Sequence, residues 1–120
     1  SFTNEYKTSA RIDRLKMLDS LERASIISRD SRKIPVKLEI SGDNIVITAN
    51  AETGAVYEEV SAEVDGDKLL IALNPRYLID ALRAIDDEEV YMHFNTSLSP
   101  CVFKPVEGDD YKYLVLPLRM

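Results

Sequence analysis

The sequence predicts an α+β domain in which two helices pack on antiparallel sheet and a strand-helix-strand-strand-strand unit occurs twice. Two stretches with helical periodicity lie about 60 residues apart, and runs of alternating apolar and polar residues follow each of them. The two internal repeats span about 8–64 and 67–118. At 120 residues and 45% hydrophobic content, the chain fits one domain with a sizeable core.

The first repeat opens with a short strand candidate from Thr8 to Arg14. A helix follows from Leu15 to about Ser28, with Asp13 as its N-cap. Its apolar positions recur every three residues, and they are Leu18, Leu21, Ala24 and Ile27, with Met17 beside them. The opposite side of the helix carries Lys16, Ser20 and Arg23. Three alternating strands complete the repeat, starting near Pro35, Ile45 and Ala55.

The second repeat begins with a strand over Lys68–Leu73. Asn74 then caps a helix that has proline at its first position and runs to about Ile85. The following strands are Val90–Asn95, Pro100–Val106 and Tyr111–Leu116. Because proline lacks an N–H, we expect regular pairing to end near Pro117. Leu118 and Met120 then lie beyond the strand, either as an exposed docking site or simply packed down on the domain.

Each predicted helix carries two bases, seven residues apart, on the side opposite its apolar positions. Superposing the halves places Lys16 on Arg76 and Arg23 on Arg83. Two helices side by side would therefore present a local row of four bases, although Asp19 and other acids weaken it. The alternative is that each pair is ordinary solvated surface.

Composition restricts the function classes. The chain has 21 acidic and 15 basic residues and a net charge of −6, which excludes nucleic-acid binding through an overall basic surface. It shows no signal peptide and no long apolar span, and its single cysteine suits a reducing compartment, so we expect a soluble intracellular protein. Ser1 in place of an initiator methionine suggests a piece cut from a longer chain, although removal of a tag would leave the same mark.

The sequence offers little for catalysis. His93 has no partner at metal-ligand spacing and is expected at the surface, and Cys101 faces inward by alternation. The paired acids all fall in predicted turns, and they are Asp86/Asp87, Glu88/Glu89 and Asp109/Asp110. We therefore expect no catalytic residue, no metal and no cofactor. A small hydrolase that uses the acidic turns is the enzymatic alternative.

Four stretches carry a resemblance to a known family, and they are Leu21–Ile27, Val36–Leu38 with Ile47–Asn50, Asn74–Leu82 and the ending Leu114–Met120. Together they resemble the third, C-terminal domain of the bacterial DNA polymerase III beta sliding clamp. The resemblance implies the DNA-clamp fold, with residues 1–7 as the linker from a preceding clamp domain and residues 8–120 as the domain itself. It also implies three such domains per subunit and a head-to-tail ring of two subunits in the bacterial cytoplasm.

The resemblance further implies a function and its residues. The ring is a non-catalytic processivity factor of the replicative DNA-directed DNA polymerase, a nucleotidyltransferase. It slides on duplex DNA without sequence specificity and docks polymerase, clamp-loader and repair proteins through short linear motifs. The DNA-facing residues would be Lys16, Arg23, Arg76 and Arg83, and the ring contact would be Ile26 and Ile27. The peptide groove would use Asn74, Tyr77, Leu98, Pro100, Leu114, Val115, Leu116, Pro117, Leu118, Arg119 and Met120. The middle domain would supply the other half of the groove. The alternative is a stand-alone protein-interaction module without DNA binding.

Overall fold

A computed structural model of the chain describes residues 6–26, 34–51 and 54–119. Its elements follow the predicted order twice, with one further short strand at the end. They are β1 (Thr8–Asp13), α1 (Arg14–Ser25), β2 (Val36–Ser41), β3 (Asn44–Ala51), β4 (Gly54–Gly66), β5 (Leu69–Leu73), α2 (Pro75–Ala84), β6 (Glu89–Phe94), β7 (Cys101–Pro105), β8 (Tyr113–Val115) and β9 (Pro117–Leu118). The prediction of two helices and two strand-helix-strand-strand-strand units is confirmed.

Both helix starts form as predicted. The Asp13 side chain accepts a hydrogen bond from the backbone N–H of Lys16 at 3.1 Å. The Asn74 side chain does the same for Arg76 at 2.9 Å, and Pro75 occupies the first helical position of α2. Each cap satisfies a backbone donor that has no partner within the helix, so it fixes where the helix begins.

The nine strands form one antiparallel sheet in the order β8-β7-β6-β1-β4-β3-β2-β5-β9. The first strand of each repeat lies among the strands of the other repeat. β1 pairs with β6, with Ile12 opposite Val90, and β5 pairs with β2, with Ile71 opposite Leu38. Neither repeat therefore contains a complete half-sheet of its own.

β4 connects the two halves of the sheet. Its first part, Gly54–Ser61, pairs with β3, whereas its last part, Ala62–Gly66, pairs with β1. At the end of this strand the backbone N–H of Asp67 donates to the carbonyl of Lys7 at 3.0 Å. Gly66 lies directly against that carbonyl and has a φ of +107°. Glycine is needed here because a Cβ would meet the neighbouring backbone.

The C-terminal segment differs from the prediction. β8 and β9 are the two edge strands of the sheet, yet only Leu116 separates them in the chain. Pro117 pairs with Leu73 and Leu118 with Ala72. The expectation that pairing ends near Pro117 is wrong, because the chain changes to the opposite edge there and an edge strand tolerates proline. The sheet must therefore curl enough to place the end of β8 next to the start of β9.

One face of the sheet and the two helices enclose the core. The strand positions that the alternation of apolar and polar residues predicts to face inward are buried, for example Leu38, Ile47 and Met92. The predicted apolar sides of the helices are buried as well, except for Ile27, which lies outside the described residues. Ser20 was expected on the exposed side of α1 but is 3% exposed. Its hydroxyl accepts a hydrogen bond from Arg23 Nη2 at 3.1 Å, and this contact offsets the cost of burying it.

We expect Gly66→Ala to lower the free energy of unfolding far more than Gly42→Ala does. A Cβ at position 66 would lie 2.0 Å from the Lys7 carbonyl oxygen, in addition to an unfavourable φ. These two effects should cost about 3 kcal/mol together. Gly42 has a φ of +60° and nothing within 4 Å of its Cβ position, so alanine there should cost only about 1 kcal/mol. Urea unfolding followed by circular dichroism would compare the two, and equal losses would contradict the close approach.

Candidate functional site

Exposed apolar side chains gather where β8, β9 and the start of α2 meet. Of nine exposed large apolar side chains in the described residues, five belong to the predicted peptide groove. We call these five the C-terminal apolar surface, and they are Tyr77, Leu98, Leu114, Leu116 and Leu118. Their exposed fractions run from 40% for Leu118 to 72% for Leu116. A domain of this size rarely leaves so much apolar surface in one region without a partner.

Strand register brings these residues together from separate parts of the chain. Leu114 pairs with Val102, two residues after Pro100. Pro117 pairs with Leu73, which directly precedes the cap of α2. The same junction therefore collects the end of the chain, the first turn of α2 and the loop before β7.

The loop before β7 is held by its own hydrogen bonds. The backbone N–H of Leu98 donates to Thr96 Oγ1 at 3.1 Å, and that of Ser99 donates to the Thr96 carbonyl at 3.2 Å. The two hydroxyls of Thr96 and Ser99 lie 2.8 Å apart. These contacts fix the turn that presents Leu98, which is 68% exposed.

The remaining predicted groove residues have different environments. Asn74, Pro100 and Pro117 are half-buried, and Arg119 is exposed. Val115 is 4% exposed and packs in the core, so its side chain supports the surface from beneath. Met120 lies outside the described residues.

The four predicted DNA-facing bases are all exposed on the two helices. Arg83 forms an ion pair with Glu22, which links α2 to α1. Arg23 forms an ion pair with Glu58 at 2.9 Å, which links α1 to β4. Lys16 and Arg76 make no ion pair with any residue that the structure describes. Two of the four bases therefore connect a helix to a neighbouring element, and the other two are available to an anion from outside the chain.

The Arg23–Glu58 pair was not found from the sequence. Glu58 lies opposite the buried Ile47 in the β3–β4 register, so its side chain points toward the helices. The hydrogen bond from Arg23 lowers the pKa of Glu58, and the same bond raises the pKa of Arg23. The sequence signal that could have indicated this pair is an acid at an inward strand position, because such a group needs a basic partner.

Arg14 connects the two helices through contacts that the sequence did not predict. Its Nη1 donates to the Leu82 carbonyl at 2.9 Å, and its Nε donates to the Asp87 carbonyl at 2.7 Å. Its backbone N–H donates to the Glu88 carbonyl at 2.8 Å. A guanidinium at the C-terminal end of α2 gives a last-turn carbonyl a further donor and complements the helix dipole. The start of α1 is thereby fixed to the end of α2.

The predicted ring contact is only partly within the described residues. Ile26 lies at the C-cap of α1 and is 75% exposed, as expected for a residue off the apolar side. Ile27 lies outside the described residues.

The candidate catalytic groups have environments that disfavour chemistry. Cys101 is fully buried, and burial raises the pKa of its thiol, which disfavours the reactive thiolate. His93 is half-buried rather than plain surface, because its Nδ1 lies 2.7 Å from Ser9 Oγ and its ring stacks on tyrosines. Within the described ranges no three His, Cys, Asp or Glu residues could hold a metal ion, and neither helix is long and apolar enough to span a membrane.

Comparison with known proteins decides the family. Residues 2–119 match the family model described as DNA polymerase III beta subunit, C-terminal domain. The chain belongs to this family. The beta sliding clamp of Staphylococcus aureus strain Mu50 is 34% identical over 120 residues, which cover 98% of this chain and 32% of that protein. This clamp domain therefore spans about a third of the length of the curated relatives it matches.

Solved structures show the same DNA-clamp fold. The beta subunit of DNA polymerase III from Thermotoga maritima has a TM-score of 0.90 and 34% identity, over 96% of the clamp domain and 31% of that chain. The DNA polymerase sliding clamp from Bacillus subtilis has a TM-score of 0.91 and 29% identity, over the same shares of the two chains. The predicted fold class is confirmed. The predicted division into a linker over residues 1–7 and a domain over 8–120 stays a prediction.

The Arg23–Glu58 pair should make the stability of the clamp domain depend on pH. Because the pKa of Glu58 is lowered from 4.5 on folding, the pair stabilises the domain above that pH and loses its effect as the pH falls through the lowered value. We expect Glu58→Gln to reduce the free energy of unfolding at pH 7 and to reduce it less at pH 3. Urea unfolding at both pH values would measure this. Glu107→Gln, at an exposed loop position, is the control, and a Glu58→Gln effect that is equal at both pH values would exclude the pair as its cause.

Proposed function

We propose that the chain is the third domain of a bacterial sliding clamp, the processivity factor of the replicative DNA polymerase. The clamp is the non-catalytic beta subunit of a DNA-directed DNA polymerase holoenzyme, acts in the cytoplasm and closes as a homodimeric ring around duplex DNA. One observation carries the proposal beyond family membership. Five of the nine exposed large apolar side chains in the described part of the chain occupy the positions that the family's peptide groove would use.

The helix face is the side proposed for DNA. The exposed or half-exposed charges of the two helices are five bases, at Arg14, Lys16, Arg23, Arg76 and Arg83, and three acids, at Asp19, Glu22 and Asp80. The chain as a whole carries a charge of −6, so this face is locally less acidic than the rest of the molecule. We assign the direct phosphate attraction to Lys16 and Arg76, which have no carboxylate partner in the described residues, and a mainly structural role to Arg23 and Arg83.

The C-terminal apolar surface is the proposed docking site for the short linear motifs of polymerase, clamp-loader and repair proteins. Exposed leucines and Tyr77 suit a peptide that inserts apolar side chains, because burying that surface supplies most of the binding energy. Arg119 lies beside it as the one charged residue of the proposed groove. Ile26, with Ile27, is proposed for the contact that closes the ring, since a large aliphatic side chain that is 75% exposed favours a protein neighbour.

Lys16→Glu combined with Arg76→Glu should weaken retention of the full-length ring on circular duplex DNA. Each base that attracts a phosphate contributes about 0.9 to the slope of log affinity against log salt, so the slope should fall by about 2. Retention measured between 50 and 200 mM salt would show this. Arg23→Ala is the comparison, since it should reduce thermal stability more than it changes the slope. An unchanged slope in the double variant would remove Lys16 and Arg76 from the phosphate contacts, and a full-length protein that is never retained on circular DNA would favour the alternative, an interaction module without DNA binding.

Leu116→Ser should weaken binding of a polymerase-derived motif peptide to the full-length ring by about tenfold or more. Leu116 is 72% exposed, so its loss removes contact area for the peptide and leaves the core intact. Leu70→Ser is the matched control, because Leu70 is 45% exposed on β5 and lies outside the proposed groove. Isothermal titration calorimetry would measure the affinities and thermal unfolding the stability. Equal effects of both variants on affinity, or a large fall in melting temperature for Leu116→Ser, would remove Leu116 from the docking site.

A further inference from the structure

A second concave surface lies on the face of the sheet opposite the helices. The outward side chains of β7, β6, β1 and β4 form a cross-strand row of Lys104, Tyr91, Arg11 and Glu63. In the next row His93, Ser9 and Asp65 are neighbours. Together with Tyr6 and the loop over residues 106–109 they surround a cavity of about 740 Å³, which we call the outer-face cavity. The proposed DNA and peptide surfaces contribute no residue to it.

Three stacked aromatic rings form one wall of the outer-face cavity. The ring of Tyr6 stacks on His93 with a centroid distance of 4.3 Å and an angle of 11° between the ring planes. Tyr91 stacks on the same histidine at 5.2 Å and 20°. The Ser9 hydroxyl lies 2.7 Å from His93 Nδ1 and fixes the ring's position. The aromatic surface is therefore preformed, which lowers the entropic cost of binding.

The carboxylates of this cavity outnumber its bases. Arg11 Nη2 already forms an ion pair with Glu89 Oε1 at 2.6 Å, whereas Arg11 Nε lies 3.9 Å from Glu63 Oε2. Lys104 lies 3.8 Å from Asp109, which is 89% exposed. Glu63 is 81% exposed, and Asp65 makes no ion pair with any described residue. The cavity therefore has weakly engaged negative charge beside aromatic ring faces.

We propose that the outer-face cavity binds an arginine side chain presented by a short basic peptide segment of a partner protein. A guanidinium can stack on an aromatic ring while its N–H groups donate to neighbouring carboxylates, and both groups are present here. Glu63 and Asp65 are the proposed acceptors, and Tyr6 and Tyr91 supply the ring faces. The carboxylates repel phosphate, so a nucleic acid does not fit this surface.

Titration of the isotope-labelled chain with the peptide acetyl-Gly-Arg-Leu-Arg-Gly-amide, followed by NMR, tests this proposal. We expect the largest shifts at the ring signals of Tyr6, Tyr91 and His93. The same peptide with glutamate in place of both arginines should cause none of them. Shifts that cluster at residues 113–118 instead, or that are the same for both peptides, would overturn the proposal.

Charge-neutralising variants sharpen the test. Asp65→Asn combined with Glu63→Gln should weaken arginine-peptide binding by about fivefold or more, because two charge-assisted hydrogen bonds are lost. Glu39→Gln is the matched control, since Glu39 is an ion-paired acid on β2 outside the cavity. Both changed residues of the double variant are exposed, so we expect an unchanged melting temperature. Equal affinity of the double variant and the control would rule out the assigned acceptors.

Discussion

The exchange of first strands between the two repeats is the constraint that the rest of the structure depends on. β1 lies between β6 and β4, and β5 lies between β2 and β9. Each helix follows its exchanged strand almost at once, with α1 starting at Arg14 and α2 at Pro75. The positions of the exchanged strands therefore determine the positions of the helices that follow them. Both apolar helix sides therefore reach one shared core, and a single repeat could not bury its own helix.

The same exchange explains why apolar side chains remain exposed at the end of the chain. With β1 and β5 in the interior of the sheet, its edges are β8 and β9, and Leu116 alone connects them. This connection places the end of one edge strand one residue away from the start of the other. Leu116 lies at this connection and is exposed, as are Leu114 and Leu118 on the two edge strands. The docking surface that we propose is a consequence of how the sheet closes.

Local patterns predicted most of the fold. Alternation identified inward residues such as Ile47 and Met92, and capping chemistry identified Asp13 and Asn74 as helix starts. These features depend on neighbours within a few residues, which the sequence shows directly.

What the sequence did not reveal depends on partners far apart in the chain. The ion pair of Glu58 joins residues 35 positions apart, and it also explains why Ser20 is buried beside Arg23. The pairing of Pro117 with Leu73 likewise depends on the closed sheet rather than on the local rule for proline. For the site, the resemblance supplied the groove residues, and exposure of five of them supports that assignment. The roles of the helix bases could not be separated before their carboxylate partners were known.

The different roles proposed for the four helix bases follow from electrostatics. A base held in an ion pair contributes little net field at a distance, because its partner's charge cancels most of it. Arg23 and Arg83 are in this position, whereas Lys16 and Arg76 are not. On the proposed function, the helix face therefore attracts phosphates through few charges and through solvent rather than by tight contact. Weak, sequence-independent attraction suits a ring that must move along DNA, since each additional open base would raise the cost of leaving one phosphate for the next.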